Sequence, residues 1–350
     1  MSLPPFASRP NLEQVAAVAG VSRATVSRVV NGVDSVAPGL RERVERAVLQ
    51  LGYVPNRAAR SLVTRRTDTV ALVVSESEER LFGDPFFSDI VRGVSRELGE
   101  AGIQMALMLA HGPAALERIE RYLRSAPIDG VLLISQHADH DPLPQALAAV
   151  GIPVVIGGRP LSPNEGIAYV DNDNVGGGAA AGQHLVDRGR TMIGTVAGPA
   201  EMAAGMDRLR GFRSALGPRF DVGRVEYGDF TTAGGERAAA RLLARVPDLD
   251  GLFVASDLMA VGALRALRQG GRRVPEDVAV VGFDDIPTAA FTEPALTTVR
   301  QQAVVQGRLM ARMLLVAARG EAMRPDDDLP DVQGRDHLVL ATSLVVRESS

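Results

Sequence analysis

The stretch GVSRATVSRVVNG, Gly20–Gly32, decides how the first part of this chain folds. Gly20 stops the helix before it, Ser22 offers a hydroxyl to cap the next one, and Asn31-Gly32 ends that second helix. Between these stops, Val26, Val29 and Val30 share an inward face, while Arg23, Ala24 and Arg28 lie off it. Upstream, Asn11 and Gln14 have capping-box spacing ahead of Val15, Ala16 and Val18. Downstream, Leu40, Val44, Ala47, Val48 and Leu51 give the stripe of a third helix from about Gly39 to Leu51. Three short helices within about forty residues, joined through a glycine turn, predict a helix-turn-helix unit.

Charge is distributed unevenly around this unit. The whole chain of 350 residues carries −4, but up to Arg66 there are ten Arg against four acids, a net of +6, which leaves −10 for the rest. A basic segment on an acidic body suits a phosphate-binding head on a separately folded body; on charge alone, a solvated helix surface stays open. The length suits two or three folded units. Apolar residues at 46% and charged residues at 23% are ordinary for a globular protein. No apolar run approaches the roughly 20 residues of a bilayer span. The Pro-rich start, MSLPPFASRPN, lacks the apolar segment of a secretion signal, and there is no cysteine for a disulfide framework. A cytoplasmic protein with no membrane partner is expected.

From Asp68 onward, short apolar runs rich in β-branched residues alternate with amphipathic stretches. The candidate strands are Val70–Val74, Ile103–Leu109, Gly130–Ile134, Val154–Ile156, Ile193–Ala197, Gly251–Ala255 and Val278–Val281, with a final one at Leu338–Val346. Helices such as Ser88–Ala101, Ala114–Ser125, Gly176–Arg188, Gly234–Arg245 and Asp257–Gln269 fall between them. Strands without polar alternation are buried on both faces, so the pattern predicts doubly wound parallel α/β sheets.

Gly20–Gly32, its continuation through Val44 to YVPN at Tyr53–Asn56, and NRAARSLV at Asn56–Val63 resemble the recognition element and hinge helix of the LacI family, the lactose- and galactose-repressor type of transcriptional regulator. The resemblance continues through DPFFSDIVRGV (Asp84–Val94), VDNDNVGG (Val170–Gly177), DRLRGF (Asp207–Phe212), VASDLMAVGAL (Val254–Leu264), VVGFDD (Val280–Asp285) and LTTVRQ (Leu296–Gln301). It implies a disordered start at 1–10, an all-α helix-turn-helix headpiece at 11–55, a hinge helix and linker at 56–67, and an effector-binding core at 68–350. That core would have the two-lobed fold of periplasmic sugar-binding proteins, with an N-lobe of about 68–171 and 302–329 and a C-lobe of about 172–299 and 332–350. Three crossovers would fall near Val170–Asn172, Val299–Gln302 and Leu329–Val332. One headpiece reads too few bases for useful affinity, so a two-fold homodimer on paired half-sites is expected, and no leucine heptad follows the last strand to suggest a tetramer.

A recognition helix in the major groove turns its N-terminal residues to base edges, which places Arg23 and Ala24 to read sequence, with Arg28 one turn on. Arg bonds bidentately to guanine and Ala packs on a thymine methyl. Ser22, Thr25, Ser27 and Asn31 suit phosphate contacts. An isolated Arg reads better as a solvated charge; the surrounding motif reverses that preference toward the DNA reading. The resemblance makes Leu62 the wedge that paired hinge helices insert into the minor groove. Asn56 can cap that helix, and Arg57 and Arg60 can neutralise phosphates. A helix of about eight residues is marginal alone in water, so the hinge is expected to fold on double-stranded DNA at a palindromic operator.

In the core, the resemblance makes Arg208 and Asp284 a polar clamp for the hydroxyls of a sugar or sugar derivative. Phe86, Phe87, Phe230, Phe253 and Phe283 would be its apolar walls, although any one of them can equally be core. Ser256 and Asp257 stand at a strand end as polar contacts, with helix capping an equal reading for Asp257. Where relatives often carry an acid, this chain has Gly157-Gly158-Arg159-Pro160, so one acceptor is missing or replaced by Arg159.

An enzyme is the rival reading. His137-Ala138-Asp139-His140-Asp141 could be imagined as a metal site, but a loop His pair beside Pro142 reads as solvated, and neither a nucleophile elbow nor a Walker loop exists. Gly176–Gly178 opens a helix and either cradles an anion or allows close packing. Asp326–Asp328 reads as a solvated loop. No catalytic residue, metal site or cofactor is expected. A secreted solute-binding protein would share the core but has no use for residues 11–63.

Overall fold

The computed structural model describes residues 10–30, 35–54, 66–134, 142–161, 166–320, 326 and 328–350, in two units divided between Thr67 and Asp68. In the first unit, α1 (Leu12–Ala19), α2 (Arg23–Val30) and α3 (Pro38–Leu51) enclose Val15, Val26 and Val44, all fully buried. The capping box is formed: Asn11 Oδ1 accepts from the Gln14 N–H, and Gln14 Oε1 from the Asn11 N–H, both at 2.9 Å. Gly20 turns the chain at φ 63°, where a β-carbon would be strained, and Ser22 Oγ accepts from the Thr25 N–H at 3.1 Å. Pro38 occupies the first turn of α3, where a missing N–H costs nothing. Arg43 donates to the carbonyls of Ala19 and Gly20 at 2.6–3.0 Å, which closes the end of α1 where the helix leaves carbonyls unpaired.

The second unit begins with β1 (Thr69–Val74), α4 (Glu78–Gly83), α5 (Pro85–Glu100), β2 (Gln104–Leu109), α6 (Pro113–Ser125), β3 (Gly130–Ile134), α7 (Leu143–Ala148), β4 (Val154–Gly157) and β5 (Ala168–Asn172). It crosses to a second lobe of α8 (Asn174–Asp187), β6 (Ile193–Ala197), α9 (Ala203–Leu216), β7 (Val225–Tyr227), α10 (Thr232–Arg245), β8 (Gly251–Val254), α11 (Asp257–Gln269), β9 (Ala279–Asp284) and β10 (Thr297–Arg300). It returns through α12 (Ala303–Arg319) and β11 (His337–Leu340) and ends in the C-lobe with β12 (Ser343–Val345).

The N-lobe sheet has the order β11-β5-β4-β3-β1-β2, parallel throughout. The C-lobe sheet has the order β12-β10-β9-β8-β6-β7, parallel except for the β12–β10 pair. Burial on both faces explains the unbroken apolar runs. On β1, Val70, Leu72 and Val74 pack toward α5 and α12, while Ala71 and Val73 pack toward α6 and α7.

Glycines set the closest helix contacts. A β-carbon on Gly178 of α8 would lie 2.1 Å from the Arg208 carbonyl of α9, and one on Gly211 of α9 would lie 1.9 Å from the Val175 carbonyl of α8. The same device joins α5 to α12 through Gly93 and Gly307. In the Gly176–Gly178 run, therefore, Gly178 serves helix packing within the C-lobe.

Two sequence expectations need correction. Leu338–Val346 is not one strand: β11 pairs with β5 of the N-lobe and β12 with β10 of the C-lobe. The third crossover accordingly lies at Ala341–Thr342 rather than Leu329–Val332. A chain that changes sheets while extended keeps its β pattern, so periodicity does not reveal the change. Asp326 is not merely solvated; it pairs with Arg308, which also grips the buried Glu97 at 2.6 Å. Among the described residues no helix is long and apolar enough to cross a membrane.

Candidate functional site

On the first unit, α2 turns Val26 and Val29 into the core, which leaves Ser22, Arg23, Ala24 and Arg28 exposed, with Thr25 and Ser27 half-buried. Arg23 makes only a loose 3.6 Å pair with Glu13, both side chains being largely exposed. Such a pair contributes little and is readily exchanged for another anion. Ser22 is already engaged as the cap of α2, and its Oγ lies 2.9 Å from Thr25 Oγ1. Arg23 at the start of α2 and Arg28 in its last turn both stand exposed on this surface. Asn31, Asn56, Arg57, Arg60 and Leu62 lie outside the described residues.

On the second unit, the C-terminal ends of β4, β5 and β9 and the loop after β8 face a cavity of roughly 730 Å³, counted to its mouth, between the lobes and beside the crossovers. That is where open α/β sheets hold ligands. Its polar wall is one continuous chain. Asp171 Oδ1 accepts from Asn174 Nδ2 at 3.1 Å, and Asn174 Oδ1 accepts from Arg208 Nε at 2.9 Å. Arg208 Nη1 donates to the Ala255 carbonyl at 2.6 Å and pairs with Asp284 at 3.1 Å. Asp284 also accepts from Gln301 Nε2 at 2.8 Å. Every member is buried or nearly so, which makes the network stiff and its geometry specific. Asn172 ties the first crossover to the second, accepting from the Gln302 N–H at 2.9 Å and donating to Gln306 Oε1 at 2.9 Å.

The cavity's carboxyls are held away from water. Burial pushes Asp171 up to about 6, against the pull of the Asn172 N–H. Burial likewise raises Asp284 to about 7, with Arg208 opposing. Asp84, which caps α5 by accepting from the Phe86 N–H at 3.0 Å, is raised by burial too. Asp284 and Asp285 take φ of 114° and 58°, strained values for residues with side chains, held here by the ion pairs of Asp285 with Arg300 and Arg347.

The structure sorts the expected core residues into three groups. Arg208, Asp284, Ser256, Phe86 and Phe230 line the cavity together. Phe283 lies beneath it: the ring is fully buried with the Arg208 guanidinium 3.8 Å above its centroid, so it supports the clamp. Phe87 and Phe253 are fully buried core rings, not walls, and Phe253 stacks on Phe212 at 5.3 Å. Asp257 neither lines the cavity nor caps α11; Ser256 provides that cap, accepting from the Met259 N–H at 3.3 Å. The buried Asp257 carboxyl accepts from Thr298 Oγ1 at 2.6 Å and the Ile286 N–H at 2.9 Å, bracing the turn that carries Asp284. Arg159 does line the cavity, but its fork turns across the cleft onto Asp207 at 2.8 and 3.1 Å, a bidentate bridge between the lobes.

Sequence reasoning missed Arg80, Asp84, Asp171, Asn172 and Asn174 as cavity residues. A signal existed for three of them, because Asp171-Asn172-Asp173-Asn174 is a polar run at the C-terminal end of an apolar strand. His137, Asp139, His140 and Asp141 lie outside the described residues; among those described, no three metal-binding side chains cluster.

Residues 11–56 match the model of bacterial regulatory proteins of the lacI family, and residues 183–350 match that of the periplasmic binding protein-like domain. The chain is 53% identical to the HTH-type transcriptional regulator CelR of Thermobifida fusca over 345 residues, covering 97% of this chain and 98% of the relative. It is 34% identical to the ribose operon repressor of Escherichia coli (strain K12) over 87% of this chain and 92% of that one. Among solved structures, a CelR–cellobiose complex matches with a TM-score of 0.75 at 50% identity, covering 98% of this chain and 100% of that one. The lac repressor dimer bound to operator and an anti-inducer matches with a TM-score of 0.84 at 26% identity, covering 98% and 99%.

Proposed function

Because the chain belongs to the LacI family of bacterial regulatory proteins, we propose that it represses transcription from a palindromic operator and lets go when a neutral disaccharide of cellobiose type fills the cavity between its lobes. The observation that carries this reading is the buried chain Asp171–Asn174–Arg208–Asp284 beside Phe86 and Phe230. It offers carboxylate acceptors and a fixed guanidinium to hydroxyls, with aromatic surface for the apolar face of a sugar ring. Support for the size and class of ligand comes from the cellobiose bound by the CelR relative.

In this scheme Arg23, Ala24 and Arg28 read bases, while Ser22, Thr25, Ser27 and Asn31 position phosphates. Asn56, Arg57, Arg60 and Leu62 belong to a hinge that folds on the operator. A sugar that binds better to the closed cleft shifts the dimer toward a form that holds two half-sites poorly. Binding free energies alone carry the cycle, so neither catalysis nor a cofactor is called for, and work on operator DNA places the protein in the cytoplasm.

Fluorescence-anisotropy titration of the full chain on a labelled palindromic duplex tests the proposal. The palindrome should win over scrambled duplex by a factor of about 10³ or more, with a steep salt dependence. Saturating cellobiose should weaken operator binding about tenfold or more, and Arg28→Ala should lose the preference for the palindrome more than affinity for bulk DNA. An operator affinity untouched by cellobiose and by every other neutral disaccharide would overturn the effector assignment. No preference for any palindrome would overturn the whole reading.

A further inference from the structure

The cleft between the lobes has a second chamber. Away from the crossovers, past the ends of β1, β2 and β6, the two lobes enclose a trough of roughly 1,640 Å³, counted to its open mouth. Among the described residues, Arg80 is the one side chain that lines both this trough and the inner cavity. It stands on α4, directly after β1, and reaches from the N-lobe to the C-lobe. Its guanidinium lies 4.9 Å from the Phe230 centroid and 5.5 Å from that of Phe87, with Nη1 3.6 Å from Met202 Sδ and paired to Glu76. Two rings, a thioether and a carboxylate therefore hold one cation across the passage.

This is a costly way to build a wall. Arg80 Nε is buried without a hydrogen-bond partner, a desolvation penalty that an apolar side chain would avoid. The trough beyond it has the surface of a sugar site. Leu116, Leu143 and Pro199 give it apolar floor, while Glu79, Glu201 and Asp229 offer acceptors to hydroxyls and repel anionic ligands.

We propose that Arg80 determines the length of sugar the cleft accepts: it closes the inner cavity behind a disaccharide and keeps longer neutral oligosaccharides from running on into the trough. The inference rests on the sugar reading above and adds a specificity-determining residue to it. With Arg80 in place, a third ring meets the guanidinium and must break its contacts with Phe230, Met202 and Glu76. With a small residue there, the two chambers join and a third and fourth ring find acceptors already in position.

Isothermal titration of the full chain with glucose, cellobiose, cellotriose and cellotetraose tests this. In the wild type, affinity should peak at cellobiose and fall about tenfold or more at cellotriose. Arg80→Ala, checked for a cooperative thermal melt, should bind cellotriose and cellotetraose within about threefold of cellobiose. A variant that keeps the wild-type length profile overturns the proposal. Wild-type affinities that are equal for two, three and four rings overturn it as well, whether or not the variant folds. Failure of the underlying sugar reading looks different: no member of the series gives a binding heat with wild-type protein.

Discussion

Asp171 and Asp284 are carboxyls that line the cavity yet are largely kept from water by the fold, and this has a consequence for pH. Asp171 has a folded-state value of about 6 against an ordinary 3.8, because burial penalises its charged form. The folded protein therefore holds that proton more tightly than the unfolded chain, so the stability it contributes is complete below about pH 4 and is lost as pH rises through 6. At roughly 1.4 kcal/mol per unit, the swing is on the order of 2–3 kcal/mol. Asp171→Asn keeps an acceptor for the Asn172 and Asn174 N–H groups and has no charge to desolvate. In the ligand-free protein, the melting temperature of Asp171→Asn relative to wild type should climb by several degrees between pH 5 and pH 8, as scanning calorimetry would read it. A difference independent of pH would show that Asp171 ionises freely in the fold. Asp284, raised to about 7, acts in the same direction and leaves part of the slope in the variant. The clamp of Arg208 and Asp284 was legible because each sits in a family-like motif, Arg208 within DRLRGF on α9 and Asp284 within VVGFDD at the end of β9. The phenylalanines were not separable in the same way. Phe86 and Phe87 are neighbours in sequence, yet one faces the cavity and its neighbour the core, a choice made by α5's rotation rather than by residue type.

Helices in this core are positioned by contact between backbones, and the pair α8–α9 is the one on which the clamp depends. Gly178 faces the carbonyl of Arg208 itself, so the distance between the helices also sets where the guanidinium stands. Replacing Gly178 by Ala gains about 1 kcal/mol of helix propensity. It also puts a methyl 2.1 Å from a backbone oxygen that no rotamer change can move. Overpacking costs typically 1–3 kcal/mol, and more where backbone must shift, so the steric term wins. Gly178→Ala should lower the urea midpoint and weaken cellobiose binding together, whereas Gly189→Ala, at the open left-handed turn after α8, should lower stability alone. Unchanged sugar affinity in Gly178→Ala would separate the helix contact from the clamp. At this scale, local chemistry made the headpiece readable: the capping box, the Gly20 stop and the Ser22 cap are each decided within about four residues. It also gave six of the core's strands, β1 to β4, β6 and β8, to within a residue at each end, while β5, β7 and β10 went unread. The six-residue α4 escaped because it carries too few apolar positions for a period, and it brings Arg80 to the cleft. The break between β11 and β12 escaped because its cause lies in two sheets far apart in sequence.

The whole molecule couples two binding reactions, and thermodynamics limits how it can do so. If cellobiose weakens operator binding by some factor, the operator must weaken cellobiose binding by the same factor, whatever structural route connects them. Factors of about 5–150, or 1–3 kcal/mol, are usual for such coupling. The bridge between the lobes from Arg159 to Asp207 gives a way to change that factor without touching the headpiece. Arg159 is about one-third exposed and Asp207 almost fully buried, so the pair favours the closed cleft by more than a surface contact would. Arg159→Gln should therefore loosen cellobiose binding and leave operator affinity without sugar equal or tighter, because the bridge no longer favours the closed cleft and the sugar must supply more of the closing free energy itself. Two titrations check the cycle for each protein: operator with and without saturating sugar by anisotropy, and sugar with and without saturating operator by calorimetry. The two ratios should agree in the wild type and again in Arg159→Gln. If sugar affinity is blind to the operator while operator affinity responds to sugar, the responding molecule is binding somewhere other than this cavity, and the cleft is not the sensor.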